Sequence, residues 1–177
     1  IQGYYSSNNT ILKNNCSANS DGIRFYSSKN NTISENVISS NIDIGIFFEH
    51  SSPNNVIKEN IVFNCSTAIY LYQTNDTSIF MNDLIDNNVQ ALDNGFNNQW
   101  DNGTIGNYWS DYWDTYSGVD LDDDGIGDMP YNITGSAGSQ DRYPIWEDGP
   151  GENHPPTWDQ MPTNQTLEFG ISFLYDI

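Results

Sequence analysis

The chain has 177 residues, with 24 Asp and Glu against five Lys and Arg, a formal net charge of −19 and a hydrophobic fraction of 36%. Such a balance excludes nucleic acid and anionic membrane surfaces as partners, since both need clustered cations, and makes cations the natural ligands. No run approaches the roughly 18 apolar residues of a spanning helix, and the first residues lack the charged-then-apolar pattern of a signal peptide.

In chain order, the first feature is a repeat. The segments NNTILKN, NNTISEN and NNVIKEN begin at Asn8, Asn30 and Asn54, and the asparagines that close the motifs, Asn14, Asn36, Asn60 and Asn82, recur at a spacing of 22 to 24 residues. A period of this size points to a solenoid. Within each repeat a small residue opens an apolar alternation: Gly22-Ile23, Gly45-Ile46, Ala68-Ile69 and Ala91-Leu92. Period-two alternation bounded by Asn, Ser and Gly predicts short strands, and three of them per repeat predict an all-β fold, a right-handed parallel β-helix of about four to five coils over residues 1–95. Three internal ladders are expected: Ile11, Ile33, Ile57 and Ile79; Cys16, Ile38, Val62 and Leu84; and Ile23, Ile46, Ile69 and Leu92. The stacked asparagines satisfy one another and the bend backbone. On this register Cys65 lies two coils and three positions from Cys16, so the Cα atoms stand about 10 Å apart, beyond the roughly 7 Å a disulfide tolerates.

The outward positions stack as Arg24, Phe47 and Tyr70 on one line and as Tyr4, Tyr26, Glu49 and Tyr72 on the next. Aromatic stripes of this size mark a contact surface for a glycan, another subunit or the chain's own tail, with Tyr26, Phe47, Tyr70 and Tyr72 as its residues. Glu35 and Glu59 stack at the position that Lys13 holds in the first coil; alternating charge on a ladder serves solubility and stacking, which outweighs a paired-carboxylate polysaccharide hydrolase or lyase.

Residues 96–147 read as an irregular, aromatic-rich cap. Trp100, Trp109, Trp113 and the surrounding tyrosines suit either a seal on the last coil or a sugar platform, with Trp109 and Trp113 as contact candidates. Inside the cap lies DLDDDGIGD, Asp120 to Asp128. Carboxylates at loop positions 1, 3 and 5, Gly at 6 and a backbone carbonyl at 7 wrap oxygen ligands around calcium. Asp120, Asp122, Asp124, Gly125 and Ile126 fill those positions, and Asp128 stands at 9. Tyr131 replaces the bidentate Glu of an EF-hand, so a distant carboxylate must complete the shell; Asp141 is the first candidate and Asp114 the second. Magnesium, with its tighter octahedral demands, fits less well.

Eight sequons, at Asn8, Asn15, Asn30, Asn64, Asn75, Asn102, Asn132 and Asn164, point to an extracellular, N-glycosylated chain. Residues 148–156 form a Gly/Pro linker. The last stretch, with Leu167, Phe169, Ile171 and Phe173 alternating, resembles the opening strands of an immunoglobulin-like or cadherin-like module.

The NNTI and NNVI motifs, with the following Asn and the Gly-Ile or Ala-Ile pair, resemble the NosD-type, or CASH-type, right-handed β-helix repeats common in secreted archaeal proteins. That resemblance implies carbohydrate association in many members and a copper-related role in the member that names the family. Copper favours His, Met and Cys ligands, and here those are limited to His50, His154, three Met and two Cys. The segments GNYWSDY at Gly106 and QDRYP at Gln140 resemble the tail that follows such β-helices in archaeal surface proteins, and the acidic loop resembles those of dockerin-like and thrombospondin-type repeats. The function expected from all this is a calcium-stabilised extracellular β-helix with a structural or adhesive role at a cell surface, in a filament or layer, through self-association or contact with another surface protein. The alternatives are a carbohydrate-binding module and a polysaccharide lyase or hydrolase.

Overall fold

Each coil is three short strands separated by tight corners, and the strands of successive coils stack in parallel. The structure, a computed structural model, describes residues 1–113 and 120–146, all within the first of the two units into which the chain divides, Ile1–Trp146. Asp114, Asn164 and the segment 148–177 lie outside the described residues.

The first sheet comprises β1 (Gln2–Tyr4), β4 (Ile23–Tyr26), β7 (Ile44–Glu49), β10 (Thr67–Asn75) and β13 (Val89–Phe96). The second comprises β2 (Thr10–Leu12), β5 (Thr32–Ser34), β8 (Val56–Lys58) and β11 (Ser78–Phe80). The third comprises β3 (Asn15–Ser17), β6 (Val37–Ser39), β9 (Ile61–Phe63), β12 (Asp83–Ile85) and β14 (Tyr108–Trp109). This is a parallel β-solenoid of about five turns.

Two expected ladders hold residue for residue. Ile11 pairs with Ile33, Ile33 with Ile57 and Ile57 with Ile79; Cys16 pairs with Ile38, Ile38 with Val62 and Val62 with Leu84. The third ladder departs at its last rung. Ile23, Ile46 and Ile69 stack as expected, but Ala91 stands opposite Ile69, and Leu92 opposite Tyr70 on the outer face. The corner residues Cys65 and Asn87 are 22 apart, not 23, and the strand that follows keeps that spacing. The slip turns Asp93 inward at the rung of Phe25, Phe48 and Leu71.

The corners follow one rule. A residue in the left-handed region, such as Asn8, Lys13 or Ala18, precedes an asparagine, Asn9, Asn14 or Asn19, whose amide bonds the next coil. Left-handed backbone costs a non-glycine residue roughly 1–2 kcal/mol, and the amide bonds at each corner offset it. Asn36 is typical: its Oδ1 accepts from the backbone and side-chain amides of Asn14, and its own N–H and Nδ2 donate to Oδ1 of Asn60 at 3.0 and 2.9 Å. Three such lines run along the solenoid. The other two are Asn9, Asn31 and Asn55, and Asn19, Asn41, Cys65 and Asn87. Cys65 thus fills an asparagine position, and both cysteines are free and buried.

Past the last full coil, Trp100, Trp109, Tyr112, Tyr131 and Ile133 close the core, with the Trp109 and Tyr131 rings stacked at 4.0 Å. The closing segments touch every sheet: Gln99 lies against Ser78, Thr134 against Leu92, and Ile145 against Tyr108.

Candidate metal centre

The acidic loop is built by its own backbone. Asp120 accepts hydrogen bonds from the N–H of Asp124 at 3.2 Å and of Gly125 at 2.9 Å, Asp124 from Ile126 N–H at 2.9 Å, and Asp128 from Leu121 N–H at 2.7 Å. Gly125 takes φ +83° where the loop turns back, a conformation glycine adopts without penalty. The result brings one carboxylate oxygen each from Asp120, Asp122 and Asp124 within 4.8 Å of one another. The crowding is electrostatically expensive: the Asp124 charge, followed by burial and then by Asp128 and Asp120, raises the pKa of Asp122 above its ordinary value.

The loop is fastened to the cap at several points. Ile126 lies antiparallel to Ile145, Gly127 N–H donates to Pro144 O at 2.8 Å, and Trp146 N–H donates to Gly125 O at 2.9 Å. Tyr112 Oη donates to Met129 O at 2.6 Å and lies so close to Gly127 that a Cβ there would overlap it. The Ile126 backbone and Asp128 therefore belong to the same fastened turn as the three clustered aspartates.

Asp141 does not join them. Its side chain is fully buried in the cap, where Oδ2 accepts from Asn107 N–H at 2.7 Å, Trp109 Nε1 at 2.9 Å and Asn107 Nδ2 at 3.3 Å, and Oδ1 from Tyr143 N–H at 3.1 Å. Asn107 accepts from Asn82 as Asn82 does from Asn60, so Asp141 stands where the next asparagine of the ladder would be. Its four donors hold it in the cap, apart from the three clustered aspartates, and its carboxylate is a structural terminus. Asp93 is the same device on the first sheet, bonded by Gly95, Asn98, Trp100 and Ser139. A third carboxylate, Asp101, holds Arg142 through paired bonds of 2.9 and 2.6 Å; burial raises its pKa, but these bonds outweigh that and hold it low. Nothing in the local sequence separates a terminating aspartate from a liganding one; the signal lies in the ladder spacing, which only the folded cap completes.

The contact residues divide likewise. Trp109 is buried, and Trp113 is 43% exposed. Phe47 and Tyr70 stack at 5.0 Å with planes 6° apart, and Arg24 lies over the other face of Phe47. Tyr26, His50 and Tyr72 continue the stripe at 5.0 and 5.3 Å. The Phe47 ring faces are thus taken by Tyr70 and Arg24, and Phe47 itself is buried. Of the described sequons, Asn8, Asn15, Asn30, Asn64, Asn102 and Asn132 are exposed, whereas Asn75 is half-buried and the hydroxyl of its Thr77 is fully enclosed.

A family model described as "Periplasmic copper-binding protein (NosD)" matches residues 1–113, close to two thirds of the chain. The chain belongs to the NosD family. No curated protein and no solved structure matches it. The copper in the family description finds no fitting donor set among the described residues of this NosD chain. His50 lies beside Glu49 at 3.8 Å between tyrosine rings, and Cys16 and Cys65 are buried apart in the solenoid. The acidic donors of the loop are hard oxygens, which suit calcium, magnesium or manganese rather than copper. Among the described residues no helix is long and apolar enough to cross a membrane.

Proposed function

We propose that this NosD-family chain is a calcium-stabilised β-helix acting outside the cytoplasm, with a structural or adhesive role at a cell surface. The observation that carries the reading is the convergence of Asp120, Asp122 and Asp124 in a loop already fastened to the cap. With the Ile126 carbonyl and Asp128 these make five oxygen donors, and water supplies the remainder of a six- to eight-fold shell. Calcium relieves the repulsion that raises the Asp122 pKa and braces the turn against Pro144 to Trp146. The family's periplasmic description and the exposed sequons support an extracytoplasmic location with glycans at Asn8, Asn15, Asn30, Asn64, Asn102 and Asn132. In this reading residues 1–95 are the β-helix, 96–147 its calcium-bearing cap, and 148–177 a linker with part of an immunoglobulin-like module, which suits a surface filament or layer. Calorimetric titration tests the metal: calcium should bind one site, copper(II) should not compete for it, and Asp122→Asn with Asp124→Asn should abolish binding. Copper binding at this loop in preference to calcium overturns the reading.

A second reading is a carbohydrate-binding module. It is favoured by the open groove on the first sheet, where Asp21, Arg24, Asp43, Phe47, Tyr70 and Leu92 set carboxylates beside an aromatic floor. Sugars present hydroxyls and apolar faces together and match such a lining. Glycan-array binding that is lost in Tyr70→Ala supports it; an array with no signal removes it.

A further inference from the structure

The sequence contains two Asn-Gly pairs, and each follows an aspartate: Asp93-Asn94-Gly95 and Asp101-Asn102-Gly103. The local bonding is the same in both, because Gly95 N–H donates to Asp93 Oδ1 at 2.9 Å and Gly103 N–H donates to Asp101 Oδ1 at 2.9 Å. The surroundings are opposite. Asn94 lies in β13 opposite Tyr72, its Nδ2 donates to Tyr70 Oη at 3.3 Å, and its Oδ1 accepts from Ser136 N–H at 2.8 Å and Ser136 Oγ at 3.1 Å. A Cβ on Gly95 would overlap Thr74 O. Asn102, Gly103 and Thr104 are all exposed, Gly103 turns at φ +95°, and nothing lies within 4 Å of where its Cβ would be. Asn102 Oδ1 accepts from Thr104 N–H at 3.0 Å, Thr104 Oγ1 at 2.9 Å and Ile105 N–H at 3.0 Å, whereas among the described residues nothing accepts from its Nδ2.

We infer that Asn102 is a self-modifying residue, at which the chain closes to a succinimide and reopens as aspartate or isoaspartate, and that the fold withholds the same reaction from Asn94. With no Cβ to hinder its approach, Gly103 N is the nucleophile. The Asp101 carboxylate, paired with Arg142 at 2.6 Å, takes the Gly103 N–H proton as the bond to Asn102 Cγ forms. The three donors on Asn102 Oδ1 stabilise the negative charge that develops there. The Cγ–Nδ2 bond then breaks, and ammonia leaves to solvent with the proton held by Asp101. Water opens the ring at either carbonyl: one opening leaves aspartate in place of Asn102, and the other routes the main chain through the side chain as isoaspartate, one methylene longer. Both products add a carboxylate beside the Asp101–Arg142 pair. At Asn94 the ring cannot close without drawing Gly95 away from Thr74 and breaking the pairing with β10, so its reaction waits on local unfolding. An N-glycan on Asn102 would occupy the departing nitrogen, which makes glycosylation and cyclisation alternative fates of one residue.

The test is peptide mapping that separates asparagine, aspartate and isoaspartate at both positions of the full chain, made without glycosylation and incubated at mildly alkaline pH, once folded and once in urea. In urea the two Asp-Asn-Gly segments should convert at similar rates. In the folded chain Asn102 should convert at least roughly ten times faster than Asn94. Equal rates at the two positions in the folded chain, whether both fast or both slow, overturn the inference. Thr104→Val removes one donor to Asn102 Oδ1 and should slow Asn102 in the folded chain while leaving its rate in urea unchanged. A folded rate that is unchanged or faster in this variant shows that the donors do not activate the carboxamide, and overturns the assignment.

Discussion

Asp141 shows how much a single carboxylate does in this cap. Burial pushes its pKa from the ordinary 3.8 up to about 6, against four N–H donors that favour the ionised form. An acid whose folded pKa lies above its unfolded one stabilises the fold in its protonated state. The contribution is complete below about pH 4 and is lost as pH rises through about 6. The difference of about two pH units corresponds to roughly 3 kcal/mol. Urea unfolding of the chain and of Asp141→Asn across pH 4 to 7 measures it: the stability of the chain relative to the variant should fall by up to that amount as pH rises, and parallel curves would contradict the assignment. The sequence points to Asp141 as a calcium ligand because Tyr131 stands where an EF-hand has its Glu, so a distant carboxylate is needed to complete the shell. Its burial depends on Gly106, where a Cβ would overlap Asp141 Oδ1, and on Asn107 continuing a ladder across the cap. Neither contact is local in sequence.

At the scale of the coil, the alternating apolar positions were legible because period two admits one inward face, and the Ile11 to Ile79 and Cys16 to Leu84 ladders follow from it. The line from Asn14 to Asn82 was legible through its spacing. The line of Asn9, Asn31 and Asn55 is the second Asn of each NNTI or NNVI motif, and the third line is hidden because Cys65 interrupts it. Leu92, expected opposite Ile69, lies one residue further along the strand, with Ala91 in its place, because a small-residue pattern is weaker than the corner spacing that sets register. The corner rule yields two opposed predictions. Asn60→Ala removes the acceptor of two Asn36 amides and the donor to Ile33 O and Lys58 O, and should cost about 3 kcal/mol or more in chemical denaturation. Cys65→Asn restores an oxygen at a corner where Asn41 Nδ2, which already donates to Cys16 O at 3.0 Å, meets only sulfur from the next coil at 3.7 Å, and should stabilise by about 1 kcal/mol. A neutral Asn60→Ala would mean that the apolar ladders alone hold the coils.

For the whole molecule, the core of the solenoid and the acidic loop are joined through the cap, whose aromatic rings complete the core on one side while its turn backbone holds the loop on the other. The aromatic density from Trp100 to Trp146 was legible as composition, and the structure buries Trp100, Trp109, Tyr112 and Tyr131 of it as a seal on the last coil. A ligand that binds only the folded state stabilises it by about 2.7 kcal/mol at a hundredfold excess over Kd. Calcium should therefore protect the entire cooperative unit, although the ligands proposed for it span only Asp120 to Asp128. The most direct measurement is thermal unfolding of the intact chain in millimolar calcium and in excess chelator, alongside Asp122→Asn with Asp124→Asn. The account predicts a melting temperature several degrees higher in calcium, reversed by chelator and absent from the double variant; identical melting in calcium and chelator would contradict it.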